Sequence, residues 1–190
     1  ILAFGMRSMR LHANDANSDL IALDATNGYG NCSRKVARTM ASLYFPTLVP
    51  MIDAFYTPES STFFRRGDQS HTIACTEGFF QGDTISGLLY CLSIAPLLKI
   101  FFNSNPSSTL LVKAYLDDIT AVGPIEQTSA FCYHLREVGP RYGYYMNPHK
   151  TKVLLGGALN WEGATATYSQ ALDIPSDDSA MHSIILHPNS

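Results

Sequence analysis

The fold is decided by the stretch AYLDDIT, residues 114–120. Apolar runs lie on both sides of its acidic pair, Leu110–Val112 before and Ile119–Val122 after. Apolar runs separated by a turn predict two strands of a hairpin. Asp117 and Asp118 then lie side by side at the turn, where each negative charge opposes ionisation of the other. Such a pair of oxygen ligands suits a hard divalent ion such as Mg2+, and the alternative is a solvated turn at a hairpin tip.

Length and composition limit the classes of protein to consider. The chain has 190 residues, 46% of them hydrophobic, which is enough for one domain with a core. Its formal net charge of −3 is not that of a strongly basic nucleic-acid binder, unless basic surface lies in other parts of a longer protein. The cysteines Cys32, Cys75, Cys91 and Cys132 include no C-x-x-C pair, which argues against a zinc site and predicts reduced thiols.

The apolar segments of the chain allow a prediction of membrane association and cellular location. The longest, Leu88–Phe102, is shorter than the roughly 20 residues that cross a bilayer. We interpret it as a buried helix and expect no membrane association. The residues from Ile1 to Arg7 contain no long apolar stretch, so no signal peptide is expected. An intracellular location is predicted, nuclear or cytoplasmic and not secreted.

Hydrophobic spacing and turn residues predict further elements along the chain. They are a strand Leu20–Leu23, a helix Arg34–Leu43 capped by Ser33, a helix from Pro46 to Tyr56, a hairpin within 62–75, a helix capped by Asp83 or Thr84 and kinked or broken at Pro96, a helix from Glu126 to Tyr142, and a strand Val153–Leu155. This order predicts an α+β fold, a mainly antiparallel sheet with helices packed on one face. Residues 158–190 are polar and aperiodic, which predicts a loose tail or a truncated connection to a further domain.

Asp24 directly follows the predicted strand Leu20–Leu23. In an antiparallel sheet it can lie beside the turn that holds Asp117 and Asp118. Three carboxylates would then converge, able to bridge two metal ions about 4 Å apart. That geometry activates a hydroxyl nucleophile and stabilises a leaving pyrophosphate, as nucleotidyl transfer requires. The prediction that Asp24 lies beside Asp117 and Asp118 rests on the order of the elements and not on a single motif.

Four segments occur in one order: LDATNGY at 23–29, QGDTISGLL at 81–89, YLDD at 115–118 and MNPHKTK at 146–152. Together they resemble the palm of reverse transcriptases, especially those of non-long-terminal-repeat retroelements, whose Tyr-x-Asp-Asp box the third segment matches. The resemblance implies a polymerase palm with part of the fingers in residues 1–157, and no thumb. It also implies an RNA-directed DNA polymerase that adds deoxynucleotides to a primer 3′ end by two-metal-ion catalysis.

The same resemblance implies a role for each matched residue. Asp24, Asp117 and Asp118 would be catalytic and would hold two Mg2+ ions, with Mn2+ as an alternative. The implied nucleotide-binding residues are Tyr29, stacked under the incoming sugar to exclude a 2′-hydroxyl, Gln81 and Gly82, lining the nascent base pair, and Lys150, near the triphosphate, with Lys152 as its alternative. The implied partners are an RNA or DNA template, a primer strand, dNTPs, and the fingers and thumb of the parent polyprotein.

Three residues depart from the family pattern. Thr84 and Gly87 replace the usual prolines, and Gly28 replaces a common alanine; we expect these changes to affect loop stiffness more than chemistry. Two alternatives stay open. One is a relic palm that only binds nucleic acid or serves as a structural module. The other is an RNA-directed RNA polymerase palm, which generally needs a small or polar residue in place of the bulky Tyr29.

Overall fold

A computed structural model describes residues 18–56, 60–156, 161–176 and 179–186. Within these ranges the chain forms seven strands, seven α-helices and three short 3₁₀ helices. The strands are β1 Ser18–Leu23, β2 Ser61–Arg66, β3 Gln69–Ala74, β4 Leu111–Tyr115, β5 Asp118–Pro124, β6 Lys152–Leu154 and β7 Ile185–Leu186. The α-helices are α1 Gly28–Asn31, α2 Arg34–Tyr44, α3 Val49–Phe55, α4 Ser86–Ser104, α5 Ile125–Val138, α6 Trp161–Leu172 and α7 Ser179–Ile184. The 3₁₀ helices are Pro46–Leu48, Gly139–Tyr142 and Pro148–Lys150.

Five strands form one sheet in the order β4-β5-β1-β6-β7. Its pairs are antiparallel except β6 with β7, which are parallel. The predicted α+β fold with a mainly antiparallel sheet is therefore confirmed. In the register of β1 with β5, Leu23 lies opposite Ile119. Because Asp24 follows Leu23 and Asp118 precedes Ile119, the register brings the two acids to the same end of neighbouring strands.

Helices cover one face of this sheet, as predicted. Ile21 and Leu23 of β1 are buried in the core, as are Ile119 and Ala121 of β5. Helix α5 packs against β5 and β1, and α4 packs against α5 and α2. Successive side chains of a strand point to opposite faces. Asp118, next to Ile119 along β5, therefore lies on the face opposite these helices, and because it is exposed, that face is uncovered at this end of the sheet.

The start of α2 agrees with its predicted cap, whereas the start of α4 does not. The Ser33 hydroxyl accepts a hydrogen bond from the backbone N–H of Val36 at 3.3 Å. The predicted cap of α4 at Asp83 or Thr84 is wrong, because the helix begins at Ser86 with Ile85 as its N-cap. The Asp83 carboxylate instead accepts the N–H of Ile85 at 3.4 Å, and so closes the turn that precedes the helix.

Helix α4 is the central helix of the core. It is continuous through Pro96, so the predicted break is wrong. A proline within a helix removes one backbone hydrogen bond, and eight buried residues of α4 compensate by packing on its neighbours. By length and composition, α4 is the one helix among the described residues that could cross a membrane. Its buried residues are Ser86, Leu89, Tyr90, Leu92, Ser93, Ile94, Leu97 and Phe101.

The C-terminal part is folded where the structure describes it. Helix α6 packs against α5, with Tyr168 and Leu172 fully buried, and β7 extends the sheet beside β6. The prediction of a loose tail is therefore wrong for 161–176 and 179–186; its remaining residues lie outside the described ranges. Helix α6 was not predicted because its buried face includes two alanines and a tyrosine, which give little hydrophobic periodicity. A domain boundary at 157 stays a prediction.

The β2–β3 hairpin forms a separate two-stranded sheet, in agreement with its prediction. Arg34 of α2 holds the base of this hairpin. Its guanidinium donates to the carbonyl of Gly78 at 2.7 Å and to the hydroxyl of Ser60 at 2.5 Å. Burial lowers the pKa of Arg34. The hairpin strands themselves are almost entirely exposed.

Candidate active site

The Asp-Asp turn joins β4 to β5 with only two residues between the paired positions. Tyr115 pairs with Asp118, so the turn itself consists of Leu116 and Asp117. The sequence placed both acids in the turn, whereas the structure makes Asp118 the first residue of β5. Leu116 has a φ of 55°, in the left-handed region, where a residue with a Cβ is destabilised by about 1–2 kcal/mol. The fold therefore holds this turn in a strained conformation.

Three carboxylates influence one another at this end of the sheet. The pKa of Asp118 is raised, first by burial and then by the negative charges of Asp117 and Asp24. The three acids that the sequence predicted to converge are thus electrostatically coupled. Among the described residues, no three His, Cys, Asp or Glu side chains lie close enough to enclose one metal ion. An ion bound here would therefore need ligands of other kinds as well, such as backbone carbonyls, waters or substrate phosphates.

Asp24 has an incompletely satisfied carboxylate. Its Oδ2 is buried and accepts no hydrogen bond. The Lys150 ammonium lies 3.5 Å from that oxygen, an ion pair without hydrogen-bond geometry. A buried anionic oxygen without donors is unfavourable unless a cation approaches it. The Asp24 carboxylate is therefore a suitable ligand for a divalent ion.

Backbone hydrogen bonds place Lys150 beside Asp24. The N–H of Asn147 donates to the carbonyl of Asp24 at 2.8 Å, and the N–H of Thr26 donates to the carbonyl of Tyr145 at 2.7 Å. These bonds fasten the segment after β1 to the segment that precedes β6. The 3₁₀ helix Pro148–Lys150 follows at once, so its lysine reaches Asp24 from the neighbouring chain segment.

Tyr29 lies on the single helical turn α1, after Asn27 in the left-handed conformation with φ 48°. Its ring stacks on the ring of Tyr90, with centroids 5.0 Å apart and planes 28° apart. Its carbonyl accepts a hydrogen bond from Phe79 at 2.7 Å. Burial and then the charge of Asp117 raise the pKa of Tyr29. The structure thus brings Tyr29 close to the acidic cluster.

Gly28 is a tightly packed position. Its φ lies outside the left-handed region, so the conformational freedom of glycine is not what the fold uses here. An ideal Cβ on Gly28 would lie 3.2 Å from the Cβ of Asp117 and 3.3 Å from the ring of Tyr90. The expectation that Gly28 affects loop stiffness more than chemistry stays a prediction, and the structure adds a packing role. The glycine provides the space in which Asp117 and Tyr90 approach the backbone.

The other predicted residues lie further from these contacts. Gln81 and Gly82 occupy an exposed turn before α4, where Gly82 has a φ of 95°. None of the contacts among the acids, Tyr29 and Lys150 involves them. The Lys152 ammonium donates to the carbonyl of Ser183 at 2.6 Å. Of the two candidate lysines, it is Lys150 that lies beside Asp24; the nucleotide-binding roles themselves stay predictions.

Two tyrosines beneath the site were missed by the sequence analysis. Tyr90 is 1% exposed and Tyr144 is 0% exposed, and the hydroxyls of both are buried without a hydrogen-bond partner. Burial is the largest cause that raises the pKa of each. Tyr90 fell within a run interpreted only as a buried helix. The available signal was its place three residues after Gly87, at the start of a helix that follows a predicted active-site segment.

An antiparallel sheet with aspartates at the ends of adjacent strands and helices on its opposite face is the architecture of a polymerase palm. The sequence model of the family described as "Reverse transcriptase (RNA-dependent DNA polymerase)" matches residues 3–180. The chain belongs to this family, and its resemblance to the reverse transcriptases of retroelements is confirmed.

Known proteins resemble the chain in sequence and in fold. The Retrotransposable element SLACS 132 kDa protein of Trypanosoma brucei gambiense is 28% identical over 138 residues, which are 71% of this chain and 12% of that protein. The telomerase of Candida tropicalis in complex with a TWJ fragment of telomeric RNA superposes with a TM-score of 0.64 at 14% identity, over 94% of this chain and 33% of that chain. The corresponding Candida albicans complex gives a TM-score of 0.53 at 15% identity, over 84% of this chain and 31% of that chain. The telomerase likeness shows the fold alone, and the chain spans only a small part of its curated relative.

Proposed function

We propose that this chain is the palm of an RNA-directed DNA polymerase of a retroelement, which adds deoxynucleotides to a primer 3′ end by two-metal-ion catalysis. The supporting observation is the coupling of Asp24, Asp117 and Asp118 at one end of the sheet, in a chain of the reverse transcriptase family. An RNA or DNA template and a primer would lie across the uncovered face, held by the fingers and thumb of the parent polyprotein. The location would be intracellular.

The acids fit a site for divalent ions. Asp24 presents a buried oxygen without a donor, and Asp118 ionises against the charges of its neighbours. Mg2+ commonly keeps several waters and borrows substrate phosphates as ligands, so a cage made only of protein is not required. Bound by Asp24, Asp117 and Asp118, Mg2+ or Mn2+ would supply Lewis-acid activation of the primer hydroxyl and neutralise charge on the phosphates.

Lys150 would exchange partners when a nucleotide enters. Its side chain is 68% exposed, and it pairs with Asp24 at 3.5 Å. A lysine is a mobile point charge on a flexible stem. The ammonium would offset the charge of Asp24 before the nucleotide arrives and would bind the triphosphate afterwards.

The proposal is tested by primer extension with the full-length parent protein in Mg2+ and in Mn2+. The wild type is expected to extend a DNA primer on an RNA template, and Asp117→Asn is expected to bind the same template-primer without extending it. A wild type that binds template-primer but extends it on neither RNA nor DNA would support the relic palm instead. Efficient extension with ribonucleotides alone would support the RNA polymerase alternative.

The proposed sugar gate makes a second measurement possible. If the Tyr29 ring fills the space beside the sugar, a 2′-hydroxyl is excluded by overlap. Tyr29→Ala should then raise ribonucleotide use relative to deoxyribonucleotide use at least about tenfold, or about 1.4 kcal/mol. Tyr29→Phe should change the ratio little, because it is the ring of Tyr29, and not its hydroxyl, that excludes the 2′-hydroxyl of a ribonucleotide. Equal loss with both sugars would show that Tyr29 is only a core aromatic.

A further inference from the structure

We infer that Tyr90 is a positioning residue for nucleotide selection, because its buried ring fixes the place of the Tyr29 ring. This inference rests on the proposed role of Tyr29 as the sugar gate. Tyr90 itself is buried beneath the site and would touch neither the nucleotide nor the metal ions. Its action would pass through the ring that it supports.

The two stacked tyrosines differ in how firmly they are held. Tyr90 is 1% exposed within the 19-residue helix α4. Tyr29 is partly exposed and sits on a helical turn of four residues that has no side-chain cap. An isolated turn of this length has little stability of its own. The stacking contact at 5.0 Å therefore places the weakly supported ring against the firmly supported one.

Close packing joins Tyr90 to the backbone of the gate as well as to its ring. An ideal Cβ on Gly28 would lie 3.3 Å from both Cε2 and the hydroxyl oxygen of Tyr90. At the other edge, an ideal Cβ on Gly87 would lie 3.6 Å from the hydroxyl of Tyr29. Gly87 and Tyr90 belong to the same helix. The first two turns of α4 thus lie against the ring face of Tyr29, its hydroxyl and the backbone that precedes it.

The hydroxyl of Tyr90 packs near Gly28 but contributes no hydrogen bond to this support. It is buried without a hydrogen-bond partner among the described residues. The ring is therefore the group that positions Tyr29, and phenylalanine should replace Tyr90 without loss of selectivity. Tyr144 provides a matched control, because it is equally buried, has an equally unpartnered hydroxyl, and forms no ring stack with Tyr29.

The experiment uses the full-length parent protein with Tyr90→Leu, Tyr90→Phe and Tyr144→Leu. The measured quantity is the ratio of kcat/KM for ribonucleotides to kcat/KM for deoxyribonucleotides. Both values come from one preparation, so any unfolded fraction cancels in the ratio. Tyr90→Leu should raise the ratio about two- to tenfold, the factor that corresponds to one aromatic pair. Tyr90→Phe and Tyr144→Leu should leave it unchanged.

A double variant sharpens the test. If Tyr90 acts only through Tyr29, adding Tyr90→Leu to Tyr29→Ala should raise the ratio no further. An unchanged ratio in Tyr90→Leu, an equal rise in Tyr144→Leu, or full additivity in the double variant would each overturn the inference.

Thermal unfolding of the same preparations separates this inference from the proposed function. Rings that hold each other should give non-additive losses of Tm in the variants of Tyr29 and Tyr90, whereas independent sites add. A wild type that incorporates no nucleotide would overturn the proposed function alone. Additive losses of Tm would overturn the positioning role, whether or not the protein is active.

Discussion

Two aspartates at the two ends of β1 are held in opposite ways. Asp19, near its start, is 0% exposed, and both of its oxygens accept hydrogen bonds, from the N–H of Gly156 at 2.9 Å and the hydroxyl of Tyr168 at 2.7 Å. Asp24, just after its end, has a buried oxygen that accepts none and has only the Lys150 ammonium 3.5 Å away.

The difference shows which of the two carboxylates the fold satisfies with donors and which it leaves with free acceptor capacity. Asp19 and Asp24 are the same residue type on or next to the same strand, but the fold provides them with different numbers of hydrogen-bond donors. The donors at Asp19 belong to the loop after β6 and to α6, so this acid ties the C-terminal segment to the core. Asp24 keeps unused acceptor capacity on the uncovered face, and that capacity is what a metal ion needs.

Neutralising Asp24 should have the largest effect on activity. Metal-assisted charge stabilisation is worth several kcal/mol, so Asp24→Asn should reduce DNA synthesis by the full-length protein at least about a thousandfold. Asp19→Asn is the matched control, since asparagine can still accept from Gly156, and Tyr168 can accept from its amide. The measurement is primer extension per folded molecule. Comparable losses in both variants would mean that the two aspartates do not differ in role.

Removing a donor from Asp19 should affect stability and leave chemistry intact. Tyr168→Phe deprives a buried carboxylate of its hydroxyl donor and also breaks the 2.7 Å contact between Tyr168 and Thr128. A hydrogen bond to a charged group contributes about 1.5–3 kcal/mol. We expect a loss of about 2 kcal/mol in the free energy of unfolding of this chain by urea, with extension per folded molecule of the parent protein unchanged. A stable but inactive Tyr168→Phe would contradict the structural role of Asp19.

Mg2+ should stabilise the chain through the Asp24 end of β1 and not through Asp19. A ligand at ten times its Kd stabilises the native state by about 1.4 kcal/mol. We therefore expect Mg2+ to raise the Tm of the wild type and of Asp19→Asn, and to have no such effect on Asp117→Asn. An equal rise in all three proteins would indicate binding elsewhere.

The smallest expected effect is a dependence of stability on pH. Burial raises the pKa of Asp19 above its usual value, against the lowering effect of the hydrogen bonds from Gly156 and Tyr168. Because the native state then holds its proton to higher pH than the unfolded state, stability is lost as pH rises from the unfolded pKa through the native one. Urea midpoints from about pH 4 to about pH 7 should fall in the wild type relative to Asp19→Asn. A relative rise would show that the hydrogen bonds outweigh burial.

Local patterns predicted most of the elements around the site. A compact apolar run predicted β1, alternation of apolar residues predicted β4 and β5, and the hydroxyl of Ser33 correctly marked the start of α2. The order of the elements also predicted that Asp24 and Asp118 lie at the same end of neighbouring strands, which the register of β1 with β5 confirms; the convergence of all three acids on metal ions stays a prediction. Helix α6 could not be predicted, because its buried face carries little hydrophobic signal and because Tyr168 contacts Asp19, which lies far away in sequence.

The detailed geometry of the site could not be predicted either, because it also depends on contacts between residues that lie far apart in the sequence. The stack of Tyr29 on Tyr90 and the tight packing of Gly28 against Asp117 are distances between different elements. The left-handed φ of Leu116 is imposed by the two-residue turn, and leucine itself gives no sign of it. A motif indicates which residues share a site, but only the packed structure shows which of them support one another.

The alternation along β1 has a genetic consequence. Asp24 reaches the uncovered face because each residue from Ser18 onward turns the chain to the other side of the sheet. Gain or loss of one codon within this strand would exchange the two faces and carry the acid towards the helices. A gene with such a change would encode a misplaced acid even if every aspartate codon were intact. An open reading frame and an intact motif are therefore not enough to show that this site is preserved.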